Sequence, residues 1–119
     1  MLRRHRLGQE GEALAAGRLA ELGYQVLERR FACRRGDIDI VCRKGAAIVL
    51  VEVKTRSSAG FGTGADLISD AKRRALATCA AEYRGMTGWR GPIHFLLASV
   101  RLGYGGGEAG IELLSDAIA

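Results

Sequence analysis

The segment Ala47 to Thr55 reads Ala-Ile-Val-Leu-Val-Glu-Val-Lys-Thr, and its four consecutive apolar residues, Ile48 to Val51, leave no polar face to turn toward water. A strand of this kind is buried on both sides, so the sheet that holds it must be covered on both faces. That requirement predicts a layered α/β fold with helices as the covers. Two segments have the periodicity to serve. From about Arg6 to Leu22, residues Leu7, Leu14, Ala15, Leu19 and Leu22 fall within one broad stripe at helical spacing, and Gly23 is a natural stop. Arg18 projects into that stripe, where its aliphatic stem would snorkel. A second helix is predicted from Ala65 or Ser69 to Tyr83, with Ala75, Leu76, Cys79, Ala80 and Tyr83 on its apolar face.

Further strands are predicted over Tyr24–Phe31, Asp37–Cys42, Ile93–Leu102 and Ile111–Leu114. The order is helix, three strands, helix, then one or two strands. The first three strands should meander antiparallel, and the second helix then crosses over to the fourth, giving a mixed sheet. At 119 residues, with 48% apolar and 26% charged side chains, residues 1–119 read as one ordinary globular domain. Gly103 to Gly107 has no helix after it and no Lys-Ser/Thr, so it is not a phosphate-binding P-loop.

Charge and cysteine usage narrow the function. A formal net charge of +5 favours polyanionic partners without naming one. Cys33, Cys42 and Cys79 form no C-x-x-C pair and cannot all pair internally; with only His5 and His94 beside them, a structural zinc site is not expected. Unpaired thiols suit a reducing cytoplasm. The basic N-terminus leads into a charged helix, and no apolar run approaches the ~20 residues of a membrane span, so a cytoplasmic protein without a membrane partner is expected.

The chemistry is concentrated in two strands, Gly36-Asp37-Ile38-Asp39-Ile40-Val41 and Val51-Glu52-Val53-Lys54-Thr55-Arg56. Strand interiors disfavour Asp, and a buried unpaired charge costs several kcal/mol. Alternation puts Asp37 and Asp39 on one face, and Glu52 and Lys54 on one face of the most apolar strand. If Lys44-Gly45 is a two-residue hairpin loop, Asp39 opposes Leu50 and Asp37 opposes Glu52, with Asp39 diagonal to Glu52 at about 7–8 Å. A loop one residue longer would send Asp39 to the opposite face. Divalent cations take carboxylate oxygens and offset the repulsion between them. A neighbouring Lys adds a compact donor for charge developing on a phosphate. The plain alternative is a Glu52–Lys54 ion pair on a solvated face.

Together with Gly8-x-x-Gly11-Glu12-x-x-Ala15, Gly23-Tyr24, Phe61-Gly62 and Lys72, these strands resemble the bacterial UPF0102 (YraN-like) family from about residue 8 to residue 118. The resemblance implies a restriction-endonuclease-like αβββαβ core of the PD-(D/E)xK nuclease type, similar in motif layout to archaeal Holliday-junction resolvases. It carries over Asp39 as the motif acid, Glu52 and Lys54 as the E-x-K pair, the Val53 carbonyl as a further metal ligand and Glu12 as the first-helix acid. Glu10 flanks the helical stripe equally well, and only the resemblance prefers Glu12. The implied cofactor is Mg²⁺ or Mn²⁺ and the implied activity is endonucleolytic, on DNA or another structured, branched nucleic acid, with a homodimer by analogy. The alternative is a nucleic-acid-binding protein of this fold with little cleavage. Leu96 and Asp116 stand where the family usually has Asp and Asn, and Asp37 where Glu is commoner. Arg34, Arg35 and Arg56 flank the site and are the expected backbone-phosphate contacts, with Lys72 a further candidate and the Lys72-Arg73-Arg74 helix end a competing grip. Phe61 is a candidate for base stacking or for capping the core, and His94 reads as a core or edge histidine.

Overall fold

The computed structural model describes residues 2–34, 36–56, 68–103 and 109–115, with side chains from residue 8 onward. Its elements run α1 (Leu2–Glu21), β1 (Gln25–Cys33), β2 (Gly36–Lys44), β3 (Ala47–Arg56), α2 (Asp70–Thr87), β4 (Ile93–Arg101) and β5 (Gly110–Leu114). All five strands join one sheet in the order β1-β2-β3-β4-β5. Only β3 and β4 are parallel, with α2 as the crossover between them. The expected αβββαβ order is present, and β5 extends it by one antiparallel edge strand.

The apolar run of β3 divides by alternation. Val49 and Val51 pack in one layer with Ala15 and Leu19 of α1, whereas Ile48 and Leu50 pack in the other with Cys79 and Tyr83 of α2. Ile48, Leu50 and Val51 are all at or below 1% exposure. Each contributes about 1.5–3 kcal/mol by leaving water. That is why the central strand needs a helix on both sides.

The buried stripe of α1 is narrower than its leucines suggest. It follows Gly11, Glu12, Ala15 and Leu19, while Leu14 and Leu22 remain 41% and 39% exposed. Arg18 belongs to the same outer row as Leu14 and Leu22, where it pairs with Glu21 at 3.6 Å, so no snorkelling through the stripe is needed. Gly11 sits at the tightest approach: a Cβ there would run into the Thr55 side chain of β3. The helix start on the far side of the sheet is settled by Ser69, whose hydroxyl caps α2 by accepting from the Lys72 N–H at 3.1 Å. Gly88, at φ 76, caps α2 after Thr87, so the helix runs four residues beyond Tyr83.

The β2–β3 hairpin differs by one step from the expected turn. Its loop is Gly45-Ala46, closed by Lys44 opposite Ala47. Gly45 has φ 59, and placing the glycine first is what a type II′ turn demands. The shift moves every pair by two in register sum, so the faces are preserved but the opposite numbers change. Ile40 now faces Val51, and the same register continued sets Asp39 opposite Glu52 instead of diagonal to it. His94 lies on the stretch of β4 before β5 joins at Leu97, and it is exposed at that edge, not in the core. Among the described residues, no helix is long and apolar enough to cross a membrane.

Candidate metal centre

Asp39 sits where β2 and β3 part. The ladder's last pair is Ile40 with Val51, and two residues further along β3 the Val53 N–H donates to Asp39 Oδ2 at 2.7 Å. Side-chain alternation breaks at the same point. Ile38 packs in the α2 layer and Ile40 in the α1 layer, although two residues apart in a regular strand share a face. Asp39 is thereby drawn in toward β3, while Asp37 is left exposed and does not join it. The expectation that all the strand acids line one side is corrected by this break.

Glu52 lies on the α2 side of β3 with its side chain 5% exposed. Burial, a hydrogen bond to Glu52 and the Glu52 charge push the Asp39 carboxyl up to about 8, against the opposing pull of the Val53 N–H; Glu12 adds a smaller repulsion. Near neutral pH, Asp39 therefore keeps a proton, and the two carboxyls are reconciled only by sharing it or by a cation. Lys72 of α2 reaches Glu52 Oε2 at 2.7 Å. Burial disfavours its charge, but Glu52 and Asp39 outweigh that and hold the ammonium above its ordinary range. That ion pair is what compensates this buried oxygen.

Glu12 enters from the α1 layer. Its buried carboxylate is held by Arg29 Nε at 3.1 Å and Arg30 Nε at 3.4 Å. Neighbouring residues of a strand point to opposite faces, yet both arginines reach one carboxylate because Arg30 adopts φ 58. A non-glycine residue held there costs on the order of 1 kcal/mol or more, which the surrounding ion pairs offset. The close seat of Gly11 on Thr55 brings Glu12 within range of the sheet. Of the two candidate acids on α1, Glu12 is the buried one and the one whose charge Asp39 feels; Glu10 is half-buried and has an interaction of its own. Lys54 shares Glu52's face of β3 by alternation and is half-buried.

The geometry thus brings together Asp39, Glu52, Glu12 and Lys72, with Lys54 next along the strand. Arg29 and Arg30 were not legible as site residues; the only signal was a pair of adjacent arginines in a strand. A hard divalent ion fits this donor set. Asp39 and Glu52 are two carboxyls that burial prevents from both ionising unaided, and the Lys72 ammonium on Glu52 Oε2 shows that this oxygen takes a cation. Of the flanking cations, Arg34 has a side chain 91% exposed and pairs with Glu82 at 3.6 Å. Arg56 is half-buried and neighbours Arg101 of β4 in the register. Arg35, Phe61 and Asp116 lie outside the described residues.

The matching family model, described as "Uncharacterised protein family UPF0102", spans residues 11–101 and so contains every residue of this centre. Similar proteins include a UPF0102 protein of Moorella thermoacetica, 44% identical over 115 residues that cover 96% of both chains. A UPF0102 protein of Anaeromyxobacter dehalogenans is 39% identical over 92% of this chain and 81% of its own. Another, of Clavibacter michiganensis, is 36% identical over 98% of this chain and 99% of its own. With its αβββαβ core and these relatives along nearly its whole length, the chain belongs to the UPF0102 family.

Proposed function

We propose that this protein is a divalent-metal-dependent phosphodiesterase acting on DNA or another structured nucleic acid. The observation that carries the reading is the Asp39–Glu52 carboxyl pair, drawn into contact at the point where two strands part and unable to ionise fully unaided. Asp39, Glu52 and the Val53 carbonyl would hold Mg²⁺ or Mn²⁺. When bound, such an ion polarises phosphoryl oxygens and acidifies an attacking water. The chain's own part is then positional and electrostatic. Asp39 would serve as a ligand in its carboxylate form, which the Val53 N–H keeps aimed. Lys54 sets an ammonium on Glu52's face of the strand, where negative charge develops on the phosphate. Arg29 and Arg30 fix Glu12 beside the pair. Arg34, Arg35 and Arg56 supply cations for the nucleic-acid backbone, while Lys72, the further candidate, is engaged with Glu52. A cytoplasmic site of action and a homodimer that makes paired cuts in a branched substrate complete the proposal.

One observation favours a second reading. Lys72 on Glu52 and the two arginines on Glu12 already neutralise much of the cluster from within, as a nucleic-acid-binding protein of this fold with little cleavage would require. Incubating the protein with plasmid, single-stranded and four-way-junction DNA in Mg²⁺, Mn²⁺ or EDTA separates the two. The proposal expects cleavage with metal that disappears in EDTA and in Asp39→Asn. Tight binding with no cleavage in either metal selects the second reading.

A further inference from the structure

Two of the three cysteines, 46 positions apart in sequence, meet outside the carboxylate centre. Cys33 ends β1, and Cys79 with Glu82 lies one turn apart on α2; one ligand atom from each falls within 4.8 Å of the others. We propose that Cys33, Cys79 and Glu82 form a second metal site, for a thiophilic divalent ion such as Zn²⁺. A tetrahedral zinc with Zn–S of about 2.3 Å needs its sulfurs about 3.8 Å apart, so the donors need close by only about 1 Å.

The donors are already oriented. Glu82 is anchored by the Arg34 backbone N–H, which donates to its two oxygens at 3.0 and 3.4 Å, and a single such bond is enough to hold the carboxylate while the other oxygen turns to an ion. Each thiol touches a backbone carbonyl, Cys33 that of Phe31 at 3.7 Å and Cys79 that of Gly36 at 3.9 Å, which fixes both side chains. Small buried thiols often pack as hydrophobes, but packing alone does not gather a carboxylate with them. Burial above all, with Cys79, Glu82 and Asp37 adding to it, pushes the Cys33 thiol up to about 12. A bound cation reverses that, because it takes the thiolate directly.

The site is separate from the first in place and in chemistry. Cys79 follows Lys72 by two helical turns, about 10 Å along α2. Thiolates select zinc-like ions, whereas the Asp39–Glu52 centre offers only hard oxygens.

Cobalt(II) reports the site, since only thiolate ligation gives sulfur-to-metal charge-transfer absorption. Titrating EDTA-stripped full-length protein with Co²⁺ should produce that absorption, saturating at one ion and bleached by Zn²⁺. It should vanish in Cys33→Ser and Cys79→Ser and persist in Cys42→Ser and Asp39→Asn. Since Cys79 is buried and its variant can fail to fold, Glu82→Gln provides the second arm. Loss of a direct ligand should weaken Co²⁺ binding at least as much as losing a supporting contact does, about tenfold or more. Absorption that never develops, that survives without Cys33, or that follows Asp39 overturns the proposal. So does the disappearance of two thiols from the thiol count on mild oxidation in the presence of excess Zn²⁺, which would make Cys33 and Cys79 a disulfide pair instead.

Discussion

Asp39 answers to two opposing demands, burial that favours its neutral form and a Val53 N–H that favours its charge, and burial with Glu52 prevails. The outcome is visible in stability. An unfolded Asp titrates near 3.9, while the folded carboxyl titrates at about 8. Between those values the folded chain holds a proton that the unfolded chain has released, so stability falls as pH rises. Its contribution is complete below about pH 4 and lost once pH passes about 8. Urea denaturation in EDTA should therefore show a lower midpoint at pH 8 than at pH 5, and Asp39→Asn should flatten the difference. An equal slope in the variant would place the titration elsewhere. In wild type, Mn²⁺ at pH 8 should restore the midpoint, since an ion replaces the proton between the carboxyls. Lys54 is tested by rate instead. Lys54→Ala should reduce cleavage by ~100-fold or more with little loss of DNA affinity, because the proposed function directs its charge at the reacting phosphate. If affinity collapses while the rate per bound complex holds, Lys54 is an anchor only.

Helix α1 shows how an element can be placed by one small residue. Gly11 has Thr55 where a Cβ would go, whereas Gly17 on the same helix has nothing within 4 Å. Gly11→Ala should cost about 1–3 kcal/mol through overpacking, and Gly17→Ala should gain about 0.5–1 kcal/mol from helix propensity. Thermal denaturation of the two variants checks both signs; matching shifts would mean that α1 does not seat on Thr55. The existence and order of the elements were legible because periodicity is a local property: the double-faced run Ile48–Val51, the stripe containing Ala15 and Leu19, and the apolar face of the second helix with its start near Ser69. What escaped depends on partners distant in sequence. Leucines at 14 and 22 look buried until the width of the β3 seat is known. The hairpin register turned on which turn position Gly45 occupies. The break in alternation at Asp39 and the φ of Arg30 follow from a Val53 N–H and a Glu12 carboxylate that no local pattern reveals. Asp39 and Glu52 were nevertheless picked out beforehand, since carboxylates in a core strand need a reason wherever the register falls.

At the scale of the whole molecule, the question is which of its cations hold a polyanion, given a net charge of +5. The beginning of α2 looked like a rival grip, with Lys72, Arg73 and Arg74 in a row. The structure leaves it little to offer: Lys72 is 2.7 Å from Glu52, Arg73 is half-buried, and Arg74 alone of the three is exposed. Arg34 is different. Its side chain is 91% exposed, and its ion pair with Glu82 is a surface contact; such pairs contribute about 0–1 kcal/mol, so a phosphate can replace the partner. Arg56 ends the strand that carries Glu52 and Lys54, and Arg34 begins the turn that leads into the strand of Asp39. A backbone passing over the candidate metal centre would run between them, and Arg35 follows Arg34 in the sequence. Each phosphate contact contributes about 0.9 to the slope of log affinity against log salt on duplex DNA. Neutralising Arg34, Arg35 and Arg56 together should flatten that slope by roughly 3 and weaken all sequences alike. Neutralising Lys72, Arg73 and Arg74 should change it by about 1, the share of Arg74. The reverse ranking would move the binding face to α2, and an unchanged slope in the first triple variant would remove these arginines from the interface altogether.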